Sequence, residues 1–100
     1  MKFIPKGEWV LIKELVQKHG ILEIADYYGL THDMMIGEVI AVGTGIKKGN
    51  KVIPLEAQPG DRVTFHRKAR EPVRLDLDDD GIAEDYLLVK ETRIDATLPA

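Results

Sequence analysis

The sequence predicts an all-β domain, and two features carry that prediction. Short apolar runs are separated by glycine and proline along most of the chain, which is typical of strands joined by turns. Several runs alternate polar and apolar residues, as at 62–65 and 73–75, and this period of two indicates strands with one buried face. A chain of 100 residues has room for one domain, so we expect a single domain over residues 1–100.

Six segments are predicted as strands, with turn signals between several of them. Gly49-Asn50 suits a tight hairpin turn, and Pro59-Gly60 and Asp80-Gly81 combine residues that favour turn backbone angles. Strands spaced this closely favour a sandwich or a barrel. The predicted strands are residues 9–12, 37–43, 52–55, 62–65, 73–75 and 86–89.

Residues 16–36 do not show the strand pattern. Ile21, Ile24, Ala25 and Tyr28 fall at helical spacing, which on its own favours a helix packed against the core. The segment is also much longer than a usual hairpin connection, and connections of this length are often binding loops. From the residues alone, both interpretations stay open.

Composition excludes several functional classes. Hydrophobic residues make up 44% and charged residues 31%, a balance that suits a folded globular domain. The net charge of −3 argues against a nucleic-acid partner, which requires a concentrated basic face. The absence of cysteine excludes disulfides and thiolate metal sites. No apolar run is long enough for a signal peptide or a membrane span, so we expect no membrane partner and a cytoplasmic location.

Motifs for catalysis or metal binding are incomplete. Residues 76–81 read D-x-D-D-D-G and fit the first half of a calcium loop, but the glutamate expected at the twelfth position is Leu87. We therefore interpret the segment as a solvated acidic turn. No nucleophile-and-base arrangement and no glycine-rich phosphate loop stands out. The sequence predicts no enzyme, no metal site and no cofactor.

The order of segments resembles the GroES, or ten-kilodalton co-chaperonin, family over almost the whole chain. The best single match is Gly-Glu-Val-Ile-Ala-Val-Gly-Thr-Gly at 37–45, followed by Val-Ile-Pro-Leu at 52–55 and Pro-Gly-Asp-Arg-Val-Thr-Phe at 59–65. The opening at 3–13 and the end at 84–96 also resemble the family. Each motif alone recurs in many β proteins, and it is their order and spacing that carry the resemblance.

The resemblance implies a GroES-like irregular small β-barrel with a roof β-hairpin at 44–57 and a long mobile loop at 16–36. Members of this family form ring-shaped lids, usually heptamers, that cap the chamber of an ATP-dependent chaperonin. The implied partners are a GroEL-type chaperonin, host or cognate, an unfolded client protein inside the chamber, and further copies of the chain. The co-chaperonin itself catalyses nothing. The divergent loop suggests either a partner chaperonin that differs from the usual bacterial one, or a modified member such as a virus encodes, which would then act in the host cytoplasm.

The resemblance places the chaperonin-binding element in the mobile loop. Gly20, Ile21 and Leu22 resemble the family's apolar docking motif with one residue missing, and Ile24 is the candidate for the third apolar contact. A second candidate is Tyr-Gly-Leu at 28–30. Apolar side chains on a flexible segment gain burial energy only when a partner groove accepts them, and ordering the loop offsets part of that gain.

Two further segments receive roles by resemblance. The turn of the roof hairpin falls at Lys47, Lys48, Gly49, Asn50 and Lys51, for which an ordinary solvated turn is the alternative. The basic stretch at 66–72 replaces a family segment that faces the chamber, so we expect a basic wall there. A small nucleic-acid patch is the alternative, although the stretch lacks aromatic residues for base stacking.

The chain termini are implied to join neighbouring subunits. In the family, an N-terminal strand, here residues 2–5, pairs with the C-terminal strand of the next subunit, here 93–98. The predicted interface residues are Phe3, Ile4, Ile94 and Ala96, and the alternative is a pair of frayed termini. The rival functions are a stand-alone small β-barrel module, for binding or for a structural assembly, and a small enzyme.

Overall fold

A computed structural model describes residues 3–15 and 34–98, and these residues form antiparallel β-structure without an α-helix among them. Two single 3₁₀ turns, Arg67–Ala69 and Glu91–Arg93, follow the fifth and seventh strands. The strands are β1 Trp9–Glu14, β2 Met34–Val42, β3 Ile46–Lys48, β4 Lys51–Ile53, β5 Arg62–His66, β6 Glu71–Leu75, β7 Glu84–Lys90 and β8 Ile94–Leu98.

Six of the strands form one antiparallel sheet in the order β6-β7-β1-β2-β5-β8, and β3 and β4 form a separate two-stranded hairpin. The large sheet is not closed, because β6 and β8 end it on either side. The prediction of an all-β domain is confirmed. Each strand predicted from apolar runs and turn signals corresponds to an observed strand, although the observed bounds differ by a few residues.

One face of the sheet carries the core. Val10 and Ile12 of β1 and Val63 and Phe65 of β5 are fully buried, and these alternate positions point to the same face, as the period of two requires. Burying a side chain of this size contributes roughly 1.5–3 kcal/mol. The other buried members of the cluster are Met35, Val39, Leu55, Ala57, Leu87 and Val89.

Gly37 allows β2 to pass close to its neighbours. A methyl group at this position would lie 2.1 Å from Cγ2 of Ile12 and 3.3 Å from Cε1 of Phe65. Two residues further along, Val39 pairs with Ile12 beside a register shift in β1. The Gly-Glu-Val motif at 37–39 therefore begins with the residue that the packing of three adjacent strands requires.

The two ends of the sheet differ in what they carry. β1 runs from Trp9 to Glu14 and β2 returns from Met34 to Val42, with Glu14 opposite Gly37 and Val10 opposite Val42. We call the end at Glu14 and Met34 the loop end, because the chain leaves β1 and enters β2 there. We call the end at Trp9 and Val42 the hairpin end, because β3 and β4 follow it.

The predicted mobile loop, 16–36, lies mostly outside the described residues. Its last three residues do not, and they belong to β2, which begins at Met34. Met35 is buried in the core cluster and Ile36 is buried as well. The predicted end of the loop is therefore three residues too late, because β2 already begins at Met34, before the Gly-Glu-Val motif, and buries Met35.

Candidate functional site

The β3–β4 hairpin contains all five residues predicted for the roof. Lys48 pairs directly with Lys51 across a two-residue turn of Gly49 and Asn50. Gly49 has φ +60°, which glycine adopts without the steric cost that other residues meet. Lys47 pairs with Val52, and the whole turn is exposed. The hairpin tip is therefore a basic, solvent-facing element.

Close backbone contacts fix the base of the hairpin. The amide of Gly43 donates to the carbonyl of Trp9 over 2.9 Å, and the amide of Gly45 donates to the carbonyl of Gly7 over 3.0 Å. A methyl group on Gly43 would lie 2.2 Å from the Gly7 oxygen. The three glycines thus let the segment before β1 lie directly against the entry to β3, which sets the direction in which the hairpin leaves the sheet.

The segment that follows the hairpin, residues 54–57, is hydrogen-bonded to the turn that precedes β8. Leu55 and Ala57 are buried, and between them the amide of Glu56 donates to Oε1 of Glu91 over 3.0 Å. Oε2 of Glu91 is buried without a hydrogen-bond partner. A cavity of about 170 Å³ lies here, lined by both glutamates and by residues 94–97 of β8. Sequence reasoning missed Glu91, because no local pattern marks a glutamate that accepts from a distant amide.

The predicted interface residues occupy different settings. Phe3 is half-buried and Ile4 is 60% exposed, and neither belongs to a strand. Ile94 packs against the core cluster and Ala96, which is exposed, pairs with Thr64 of β5. Among residues 3–15 and 34–98 no strand pairing joins the two termini, and β8 keeps one edge open.

The basic stretch at 66–72 includes a short turn at the loop end. Nδ1 of His66 accepts a hydrogen bond of 3.1 Å from the amide of Lys68 and caps this turn. Nη1 of Arg70 donates to Sδ of Met35 over 3.2 Å. Arg67 and Lys68 are exposed. His66 lies opposite Met34 in the sheet, so this basic surface stands beside the point where the chain enters β2.

The acidic turn between β6 and β7 uses its carboxylates on its own backbone. Asp76 accepts hydrogen bonds from the amides of Asp80 and Gly81, over 3.2 and 2.9 Å. Asp80 in turn accepts from the amide of Ile82 over 2.8 Å. Within the described part of the chain, no group of three or more potential metal ligands is arranged around a common point. These aspartates shape the turn.

The predicted chaperonin-binding residues, Gly20, Ile21, Leu22 and Ile24, lie outside the described residues, as does the second candidate at 28–30. The two positions that flank this segment are described. The amide of Leu15 donates to the carbonyl of Ile36 over 3.0 Å, so the segment leaves and re-enters the sheet at neighbouring points. Both points are at the loop end, opposite the hairpin.

A small open β-sheet with a hairpin beyond one end and a long connection leaving the other fits the arrangement that the resemblance to the co-chaperonin family implies. Comparison with known proteins agrees. The model of the family "Chaperonin 10 Kd subunit" matches residues 2–98. The chain therefore belongs to the ten-kilodalton chaperonin family and is a co-chaperonin, which works with a chaperonin and is not itself an enzyme.

Relatives with a curated name carry the same description. The co-chaperonin GroES of Desulfosudis oleivorans is 33% identical over 94% of this chain and 95% of the relative. That of Coprothermobacter proteolyticus is 37% identical over 94% of this chain and 92% of the relative. The co-chaperonin GroES of Zymomonas mobilis is 42% identical over a shorter region, 58% of this chain. Within the described residues, no helix is long and apolar enough to cross a membrane.

Proposed function

We propose that this co-chaperonin assembles into a homo-oligomeric ring, a heptamer by family resemblance, and caps a GroEL-type chaperonin in the cytoplasm over an unfolded client protein. The observation that carries the proposal is that the hairpin and the long connection leave opposite ends of the sheet. The hairpin follows Val42 at one end, and Leu15 and Met34 flank the long connection at the other. A lid needs this arrangement, because one end covers the chamber while the other meets the chaperonin.

In this proposal the docking element is Gly20, Ile21 and Leu22, with Ile24 as a further apolar contact. Each isoleucine or leucine that enters an apolar groove contributes roughly 1.5–3 kcal/mol before ordering costs. Because ordering the segment offsets much of this, one segment alone binds weakly. Several segments on one ring bind together through effective concentration, which makes the lid tight and still releasable.

Ring assembly is proposed to use the open edge of β8. The other edge strand, β6, carries Pro72, which lacks an N–H, and the exposed charges of Glu71 and Arg74, features that protect an edge from pairing. β8 reads Ile-Asp-Ala-Thr-Leu and contains no proline. Its edge is therefore suited to the segment around Phe3 and Ile4 of a second copy.

Truncation tests this interface. Removal of the last eight residues is expected to leave a monomer or a smaller species by native mass spectrometry, because the edge that pairs with the neighbour is gone. An intact ring after truncation would contradict the proposed assembly. Because Ile94 also packs against the core, circular dichroism of the truncated chain must first show that the sheet is retained.

The function itself is tested by adding purified GroEL-type chaperonin and ATP. The lid is expected to co-elute with the chaperonin and to lower its steady-state ATP turnover, whereas a stand-alone barrel module would do neither. The double variant Ile21→Ser with Leu22→Ser is expected to abolish capture while the ring stays intact. Retained capture would move the docking element to Ile24 or to residues 28–30.

A further inference from the structure

The turn between β6 and β7 lies at the loop end of the sheet. β7 begins at Glu84, whose Oε1 is 3.7 Å from Nζ of Lys13 near the end of β1. Leu87 is paired with Ile12, so the residues before Glu84 continue past the end of β1. This turn therefore stands beside Leu15, where the chain leaves the sheet.

The turn is held in one conformation by its own bonds. Both carboxylate oxygens of Asp76 accept backbone amides, and the amide of Ile82 is itself bonded to Asp80. Gly81 has φ +82° and Asp79 has φ +55°, values that tight turns use. A segment fixed in this way loses little conformational entropy when a partner binds it.

Ile82 is the most exposed large apolar residue of the described chain, at 66%. A single exposed apolar residue is ordinary on a protein surface, but the position of this one is specific. Val52 and Ile53, which are also exposed, lie on the hairpin at the opposite end, and the exposed Ile4 precedes β1, which starts at that same end. Among the described residues, Ile82 is the exposed large hydrophobic residue of the loop end.

We propose that Ile82 forms a second, fixed contact with the chaperonin, next to the contact proposed for residues 20–24. This inference rests on the proposed function, because a lid that closes a chamber brings its loop end against the chaperonin surface. The partner chemistry is an apolar slot bordered by neutral or basic groups, since the turn that carries Ile82 also carries Asp78 and Asp80, four and two residues before it. The rigid turn supplies a contact with little ordering cost.

The test is the affinity of the intact co-chaperonin for a GroEL-type chaperonin with bound nucleotide, measured for the wild type and two single variants. Ile82→Ser removes the proposed contact. Val52→Ser is the matched control, because Val52 is comparably exposed, at 55%, but lies at the hairpin end. Native mass spectrometry and thermal melting establish that both variants assemble and fold as the wild type does. A lower affinity then reflects a lost contact with the chaperonin and not a lost ring or a less stable fold.

We expect Ile82→Ser to weaken binding by at least about tenfold, because every subunit of the ring loses one buried aliphatic side chain. Val52→Ser is expected to bind within about twofold of the wild type, and Ile82→Leu to restore most of the affinity. If the wild type binds and Ile82→Ser binds equally well, the contact at Ile82 is refuted while the proposed function stands. If the wild type itself does not bind, the proposed function fails and the inference fails with it.

Discussion

The backbone amide of Glu56 and the carboxylate of Glu91 are joined by a hydrogen bond of 3.0 Å between residues 35 positions apart. This bond connects the segment after the β3–β4 hairpin to the turn that leads into β8. The segment proposed for the roof and the strand proposed for ring assembly are thereby held in a fixed relation within one subunit. The second oxygen of Glu91 is buried without a partner, so the carboxylate holds the connection with one oxygen alone.

Glu91→Ala is expected to lower the free energy of unfolding by about 1–2 kcal/mol, because the amide of Glu56 loses its acceptor. Glu91→Gln is the matched control and is expected to stay close to the wild type, since its amide oxygen keeps the hydrogen bond to Glu56. Urea denaturation measures both variants. Equal stability of the alanine variant and the wild type would show that the bond contributes nothing.

Gly43→Ala is expected to destabilise the fold by about 3 kcal/mol, because the added methyl group would lie 2.2 Å from the backbone oxygen of Gly7 and neither backbone can move freely. The control is Gly49→Ala in the hairpin turn, where no atom lies within 4 Å and only the positive φ opposes the substitution. Its expected cost is about 1 kcal/mol. Thermal melting that ranked Gly49→Ala as the more damaging change would contradict this account of the hairpin base.

Lys48→Glu is expected to stabilise the hairpin by about 0.2–1 kcal/mol, because Lys48 pairs directly with Lys51 and like charges in direct register repel. The gain should shrink in high salt, which screens exposed charges. Lys47→Glu is the control with the same charge change, since Lys47 is paired with Val52. Amide exchange in the hairpin measures the effect, and equal protection in the two variants would exclude the cross-strand repulsion.

Tyr86 is expected to make stability depend on pH in the alkaline range. Burial, and then the hydrogen bond and the negative charge of Glu84, raise the pKa of its phenol above the unfolded value of 10.0. The folded state therefore holds this proton more tightly than the unfolded state. The stabilisation is complete below pH 10 and is lost as the pH rises through the folded pKa.

Tyr86→Phe removes this dependence. At neutral pH the variant is expected to lose about 1 kcal/mol, because the hydroxyl no longer donates to Glu84 over 3.1 Å. Between pH 9 and 11 the stability of the wild type is expected to fall more steeply than that of the variant. Parallel stability curves from denaturant titrations across this range would show that Tyr86 does not contribute to the pH dependence.

The strands were predictable because their signals are local. The alternation at 62–65 and the turn residues Gly49 and Asn50 act over a few positions, and the structure confirms β5 and the β3–β4 hairpin. The start of β2 was not predictable in the same way. Met34 to Ile36 join the sheet because Met35 reaches the core cluster and contacts Arg70, and these contacts come from residues far along the chain.

The candidate site was predictable only in part. The structure has the hairpin lysines on an exposed turn, as the Gly-Asn signal predicts, and their role in a roof stays a prediction. Glu91 and Ile82 had no signal in the sequence, since an acceptor for a distant amide and an exposed apolar residue on a rigid turn are defined by their surroundings. The docking residues Ile21 and Leu22 stay a prediction.

By itself, the sequence determined the all-β class, the approximate positions of six of the eight strands and the resemblance to the co-chaperonin family, because side-chain alternation and turn chemistry are properties of neighbouring residues. Tertiary structure alone decided that Gly7 lies against Gly43, that Glu56 bonds to Glu91, and that the hairpin and the long connection leave opposite ends of the sheet. These relations depend on strand order and register, which are set by packing between segments that are distant in the chain.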